Sequence, residues 1–295
     1  MVPVPWCACP GARALVTPGV TPALPPQRAS GTLPVMEISI PDLERAAAGG
    51  WRATEEARLG GWLLRAAGGF TGRANSALAI GDPGMPLAAA ADEVRRWYEA
   101  RDLPGMVAVP YPLGQPERSE VDRFLGGRGW TLRSGPATVM TGAPEVIARQ
   151  SRAAAVPVEI SAEPDDGWLA LYHYRGQQPP PVAAQLLVSA PWQAFASVRE
   201  AGEVLAIGRM AVAAGWAGLA AVEVAPARRR RGLARVIIGT LAALAAERGI
   251  PGIYLQVEDG NAAARSLYRS AGFDDHHGYH YRIAPPAAVA AVRGG

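Results

Sequence analysis

Apolar residues along the chain recur with two different periods, and each change of period marks an expected element. In the first half, Ile40-Pro41-Asp42-Leu43-Glu44 is an acidic, proline-containing helix start that leads into an Ala run. Residues 62–65 and 77–80 read as a strand pair around the turn residues Gly68, Gly69 and Gly72. Leu87, Ala91, Val94 and Tyr98 fall near helical spacing, which predicts an amphipathic helix over 86–101. A short strand over 106–109, a helix over 119–125 and a strand near 138–140 complete an α/β unit.

A second pass follows. Residues 194–199 and 204–212 read as strands joined by a turn at Glu200-Ala201-Gly202, and a third strand over 219–224 is reached through Ala214-Gly215. Pro226 ends that strand. A helix is then predicted over 233–248, with Val236, Ile237, Thr240, Leu241 and Leu244 on one face and Gly249 as its stop. A strand over 253–257, a helix over 262–270 with Gly272-Phe273 as its exit, and a strand over 280–282 close the chain. The expected architecture is α/β, a mixed and mostly antiparallel sheet flanked by helices. The run Phe124 to Trp130 echoes the run Leu267 to Phe273, each a helix end followed by Gly and a large aromatic, which suggests an old duplication.

A chain of 295 residues has room for two cores. Residues 1–35 are rich in Pro and follow neither period, so they read as a disordered tail, and Met36 offers an alternative start. Residues 36–145 form the first expected domain, 146–156 a linker and 157–295 the second domain. With 19% charged residues and abundant apolar ones, the body of the chain reads as globular. The formal net charge is only +3, and every basic side chain is Arg, for which genomic base composition is the simplest explanation. The two cysteines, Cys7 and Cys9, are too few and too close for a disulfide framework or a four-ligand zinc site, so a reducing cytoplasm is expected. The N-terminal stretch lacks the charge and apolar pattern of a signal peptide, and no later stretch is apolar enough to span a membrane.

One dense basic run, Arg228 to Arg231, lies where a strand ends and a helix opens. Such a junction gathers unpaired N–H groups and the positive end of the helix dipole, and it binds anions. Gly232 would let the backbone approach a phosphate closely, Ala234 is small enough to stay clear, and Arg229, Arg230 and Arg231 would add charge-assisted donors to a pyrophosphate. A solvated basic surface or a nucleic-acid patch is the competing reading of the same residues.

The segment Val222-Glu223-Val224-Ala225-Pro226 through Arg229-x-x-Gly232-x-Ala234 resembles the acetyl-CoA motif of the GCN5-related N-acetyltransferases (GNAT), (Gln/Arg)-x-x-Gly-x-(Gly/Ala). Downstream, Val257-x-x-x-Asn261-x-x-Ala264-x-x-Leu267-Tyr268-x-x-x-Gly272-Phe273 is similar to that family's second signature. The strong resemblance covers about residues 156–282. The first half looks more like the companion region of two-part actinobacterial members, through the runs Glu55 to Trp62 and Gly69 to Ser76, and it has no Arg-x-x-Gly-x-Ala loop. A degenerate GNAT-like half acting as scaffold or acceptor-recognition module is the expectation for it.

The resemblance implies direct attack of an amine on a thioester, with acetyl-CoA as co-substrate and no metal. It assigns Arg229 to Ala234, including Leu233, to the cofactor, together with Asn261 and Tyr268. It places a carbonyl-polarising backbone N–H and a splay between two strands near Val222 to Val224. Tyr268 matches the family's general acid, although it could also simply fill a helix end; Asn261 would also serve as a helix N-cap. The base departs from the pattern. Several members have Glu one residue before the strand Val, and Gln256 stands there instead. Glu258, two residues on and on the same strand face, is the replacement candidate, and Glu223 is a weaker one. His276 and His277 beside Asp274 and Asp275 invite a metal reading, but neighbours in an extended segment face opposite ways, so a loop near the acceptor mouth is expected. Trp51, Trp62, Trp97 and Trp130 read as core anchors.

The leading reading is an N-acetyltransferase acting on an amine of a small molecule, an amino-acid derivative or a protein, with a homodimer allowed. Loss of the usual Glu also permits a coenzyme A sensor without turnover. The nucleic-acid binder is the remote third reading, and no membrane partner is expected.

Overall fold

The computed structural model of the chain describes residues 37–151, 156–174 and 176–286. The tail reading of residues 1–35, and both cysteines, lie outside them. Helix α1 (Ile40–Gly50) starts at Ser39, whose side chain accepts from the Asp42 N–H, and Pro41 occupies its first turn. Then come strands β1 (Glu55–Leu59), β2 (Trp62–Ala66) and β3 (Ala77–Leu78), helix α2 (Leu87–Glu99), strand β4 (Met106–Pro112) and helix α3 (Glu120–Gly127). Strands β5 (Thr131–Leu132) and β6 (Ala137–Gly142) and helix α4 (Pro144–Gln150) end the first half. The stretch expected to open the linker is thus helical, with Pro144 at its first turn, and α4 packs on a helix of the second half.

The second half has strand β7 (Glu159–Ser161), helices α5 (Asp166–Leu171) and α6 (Val182–Leu187), and the antiparallel strands β8 (Trp192–Glu200), β9 (Glu203–Ala213) and β10 (Trp216–Val224). Helix α7 (Leu233–Glu247), strand β11 (Ile253–Glu258), helix α8 (Ala262–Ser270) and strand β12 (Asp274–Ile283) follow. The echo between the halves is one and the same C-cap. Trp130 N–H bonds Leu125 C=O after Gly129 at φ +78°, and Phe273 N–H bonds Tyr268 C=O after Gly272 at φ +98°.

All twelve strands belong to one sheet, in the order β1-β2-β3-β4-β12-β6-β11-β10-β9-β8-β7, with β5 on β12. The halves do not occupy separate ends of it. Strand β6, from the first half and buried along its whole length, lies between β11 and β12 of the second. Strand β12, the last in sequence, lies between β4 and β6. Helix α7 and the sheet enclose one core built on Ile237, Leu241, Met210 and Phe273; α1 covers another around Tyr254, Tyr279 and Tyr281. Trp51, Trp62 and Trp130 are buried as expected, while Trp97 is half-buried under the Arg101 guanidinium, 3.7 Å from its ring centroid.

The histidines differ from expectation. His276 and His277 lie within β12, not in a loop, and a bulge between Asp275 and His277 lets the two adjacent rings meet, Nδ1 to Nδ1 at 2.7 Å. His277 is fully buried and its Nε2 lies 2.9 Å from Glu44 Oε1 of α1. Further along β12, buried Asp122 of α3 is held by His280 and by Arg282, whose Nε donates at 2.7 Å and Nη2 at 2.8 Å. Burial works to raise the Asp122 carboxyl, but these hydrogen bonds outweigh it and hold the group below the ordinary carboxylate range. Its contribution is therefore present above the unfolded carboxyl's pKa and lost as pH falls through the folded one. Asp122→Ala is expected to cost about 3 kcal/mol by urea unfolding, because it strands the Arg282 guanidinium and leaves the buried His280 Nε2 without its partner; an unchanged midpoint would show the cluster to be idle.

Candidate active site

Strand β10 runs parallel to β11 at only three positions, Ala217↔Ile253, Gly218↔Tyr254 and Leu219↔Leu255. Both strands continue, to Val224 and Glu258, with no further pairing between them, so a gap opens where the resemblance implies a splay. The local cause is a bulge in β10 against β9 between Ala220 and Glu223, with Ala221 at φ +53°. A residue with a Cβ costs about 1 kcal/mol in that conformation, a strain of the kind that collects at working sites.

The gap is one wall of a cleft of about 320 Å³ lined by Val222, Glu223, Gln256, Tyr268, Tyr172 and His173. Tyr268 comes from α8, whose N-cap is Asn261: its Oδ1 accepts from the Ala264 N–H at 3.1 Å. The Tyr268 ring meets Phe273 edge-on with centroids 5.9 Å apart, and burial pushes its phenol up to about 12. Glu223 accepts from the His173 N–H at 2.8 Å, so it is tied to the chain rather than facing only solvent.

The basic loop begins with Arg228, which pairs with Glu200 and Glu203 of the β8–β9 turn. Arg229, Arg230 and Arg231 are exposed and form no ion pair among the described residues. Gly232, at φ +79°, is the N-cap of α7 and gives that helix no side-chain cap. The first N–H of the helix to find a partner within it is that of Val236, bonded to Gly232 C=O, which leaves those of Leu233, Ala234 and Arg235 for another acceptor. A Cβ on Gly232 would meet only open space, so the backbone conformation, not the protein's own packing, favours glycine there. These residues fit a pyrophosphate. The Leu233 side chain itself is buried in the core, so its contribution to the loop is its N–H.

Glu258 does not line the cleft with Tyr268. It lines an adjoining chamber of about 120 Å³ with Thr71, Gly72, Arg73, Arg133, Tyr279 and Tyr281. Gln256 lines both spaces, and its Oε1 accepts from Arg73 Nη1 at 3.0 Å. Arg73 comes from the first half, on the loop between β2 and β3, and the run Gly69 to Ser76 is built to present it. Asn75 uses its whole amide there: Oδ1 accepts from Ala67 and Gly69, and Nδ2 donates to Phe70 and Thr71 carbonyls. Thr71, at φ +62°, accepts from the Trp51 indole, and Ser76 bridges Gly72 C=O to buried Arg65. A Cβ on Gly72 would lie 2.6 Å from Arg133 and 2.8 Å from the Tyr281 ring, so glycine is what lets those side chains close over the loop. No local motif assigns roles to Tyr172, His173, Arg73 or Arg133; a charged residue in the otherwise small run Gly69 to Ser76 is the only sequence sign of one.

A bulged strand that parts from its parallel neighbour, beside an uncapped helix entered through an arginine-glycine loop, is the frame of a GNAT N-acetyltransferase. The solved GCN5-related N-acetyltransferase from Kribbella flavida shares the fold, with a TM-score of 0.60 at 17% identity over 86% of this chain and 99% of that one. "Probable histone acetyltransferase Rv0428c" of Mycobacterium tuberculosis is 32% identical over 273 residues, 87% of this chain and 77% of the relative. "Uncharacterized N-acetyltransferase YobR" of Bacillus subtilis is 27% identical over 245 residues, 82% of this chain and 97% of the relative. The family model described as "Probable histone acetyltransferase Rv0428c C-terminal" matches residues 38–282, and the chain belongs to that family of acyltransferases. The match takes in the first half, beyond the two signatures of the second. Among the described residues no helix is long and apolar enough to cross a membrane, and no cluster of His, Cys, Asp or Glu could hold a metal ion.

Proposed function

We propose that the protein moves an acetyl group from acetyl-CoA directly onto an amine. The observation that carries this reading is the parting of β10 and β11 after Leu219 and Leu255, with Tyr268 on the cleft so formed. Val222 and Val224 have no strand partner on the β11 side and would pair with an extended pantetheine arm as an edge strand does. Arg229, Arg230 and Arg231, with the N–H groups of Gly232, Leu233 and Ala234, would hold the pyrophosphate. Asn261, which caps α8, would contact the same ligand.

When bound, acetyl-CoA supplies the acetyl group as a thioester. A backbone N–H at the β10 bulge would polarise the acyl oxygen. Glu258 would take the amine's proton, directly or through a water, as nitrogen bonds to the acyl carbon and the carbon–sulfur bond breaks. Tyr268, protonated throughout the neutral range, would hydrogen-bond the departing sulfur. The acceptor could be a small molecule, an amino-acid derivative or a protein; the name of the mycobacterial relative puts a protein amine among the candidates.

Calorimetric titration of acetyl-CoA into the wild type and into Arg229→Ala/Gly232→Asp tests the loop. The variant should bind at least about 100-fold more weakly, since it loses one guanidinium and places a carboxylate where the phosphates would sit. Equal affinity in the two proteins would remove the loop from the reading and bring the polyanion patch forward. Tight binding without transfer to any amine would leave a coenzyme A sensor.

A further inference from the structure

Two arginines of the chamber beside Glu258 have no carboxylate partner among the described residues. Arg73 and Arg133 both line it, and neither forms an ion pair with a carboxylate among the described residues. Arg73 spends one donor on Gln256 and rests 5.0 Å from the Trp51 ring centroid. Arg133 lies 5.4 Å from the Tyr281 centroid, and among the described residues its side chain hydrogen-bonds only the weak acceptor Met106 Sδ, at 3.8 Å. Both side chains are half-buried. Of the described arginines nearby, Arg65 is held by Ser76, and Arg209 by the Leu187 and Gly50 carbonyls. Burial brings the Arg209 guanidinium down to about 10. Glu44, the nearby carboxylate on α1, is engaged with His277.

Among the described residues, two guanidiniums and one carboxylate, Glu258, line this space of about 120 Å³. That is room for several water-sized groups, enough for an α-amino-acid head group. Guanidiniums with open donors in a half-buried site recognise carboxylates by paired hydrogen bonds, and they repel a cationic side chain. Glu258 and Gln256 line the same chamber, and Gln256 also lines the cleft, so the amine would stand beside Gln256.

We propose that the chamber binds the free carboxylate of an α-amino acid through Arg73 and Arg133, with its amine toward Glu258 and Gln256 and its side chain toward the opening. The acceptor class is thus a zwitterionic amino acid and not a basic protein tail. The inference rests on the acetyl-transfer reading for its amine, but not for its carboxylate, and the two can fail separately.

The experiment uses the full chain and two readouts. The first is thermal shift with each of the twenty L-amino acids and its C-terminal amide, in the wild type, Arg133→Leu and Arg73→Lys. The second is acetyl transfer from acetyl-CoA to the same compounds and to a lysine-rich histone-tail peptide, followed by mass spectrometry. At least one free amino acid should stabilise and be acetylated by the wild type, its amide at least about 10-fold less well, as expected for loss of a charge-assisted pair. Arg133→Leu should raise KM for that amino acid about 10-fold while its acetyl-CoA Kd stays within twofold. Binding of an amino acid without transfer would uphold the chamber and count against the transferase reading. Transfer to amides or to the histone peptide as good as to every free acid, or no stabilisation by any free acid, would overturn the carboxylate site and leave acetyl transfer standing.

Discussion

Tyr268→Phe should lower kcat by about 100-fold, near 2.7 kcal/mol of barrier, with the Kd for acetyl-CoA changed by less than twofold. The change removes one oxygen and keeps the ring that packs against Phe273, so the end of α8 should hold its place. Specificity to the chemical step is the mark to look for, because a residue that only fills a helix end would move stability and leave turnover alone. The pH profile sharpens the test. With the phenol pushed up to about 12 by burial, Tyr268 stays protonated well past the neutral range, and its ionisation should not appear as an alkaline limb below about pH 10. Single-turnover transfer from preformed enzyme–acetyl-CoA complex would measure the effect directly. A variant as fast as the wild type would move the donor role elsewhere in the cleft, with Tyr172 the next phenol to replace.

The second large effect concerns stability. Burial raises the phenols of Tyr172, Tyr254 and Tyr268 from the ordinary 10.0 to about 12. A raised acid holds its proton longer in the folded state than in the unfolded one. Below pH 10 both states are protonated and nothing is lost; between 10 and 12 only the unfolded chain releases protons, so stability falls as pH rises. For three such groups the loss by pH 12 is on the order of 8 kcal/mol, comparable with the whole stability of an ordinary domain. Tyr98, Tyr279 and Tyr281 are shifted the same way and add to it. The chain should unfold cooperatively in this window, with loss of helical circular dichroism coincident with the rise of tyrosinate absorbance. Tyrosinate appearing near pH 10 while the dichroism stays native would show these rings to be solvated.

What the sequence disclosed and what it withheld divide along a physical line. The second half was readable because its signals are local: the strand ending at Pro226, the Arg-Gly loop, the α7 period and the Asn261-to-Phe273 helix each sit within some twenty consecutive residues. Tyr268, Val222 and the splay accordingly fall together in one cleft, and Asn261 caps α8. Strand pairing leaves no such trace. Nothing near residue 73 announces that its guanidinium will meet Gln256, 183 positions away, and Pro-rich residues around 178–181 gave no period from which α6 or the cleft residues Tyr172 and His173 could be placed. His276 and His277 were misplaced because a β-bulge reverses the alternation on which the opposite-face argument depends. Glu258 keeps the strand face expected of it, but on the chamber side of Gln256, a distinction that exists only once Arg73 has arrived.

The position of β6 bears on how the chain is made. Both of its neighbours, β11 and β12, are translated more than a hundred residues after it, and β4 likewise waits for β12. A nascent chain that has emerged through the first half therefore carries an apolar strand, Ala137–Gly142, with no partner to pair with, and one open edge on β4. The sheet cannot close in order of synthesis: β6 can pair with β11 once residues 253–258 are made, but the seam that joins β4 to β6 waits for residues 274–283. Until then the exposed edges invite pairing with other nascent chains, and a stop codon just before β12 would remove the centre of the sheet rather than its margin.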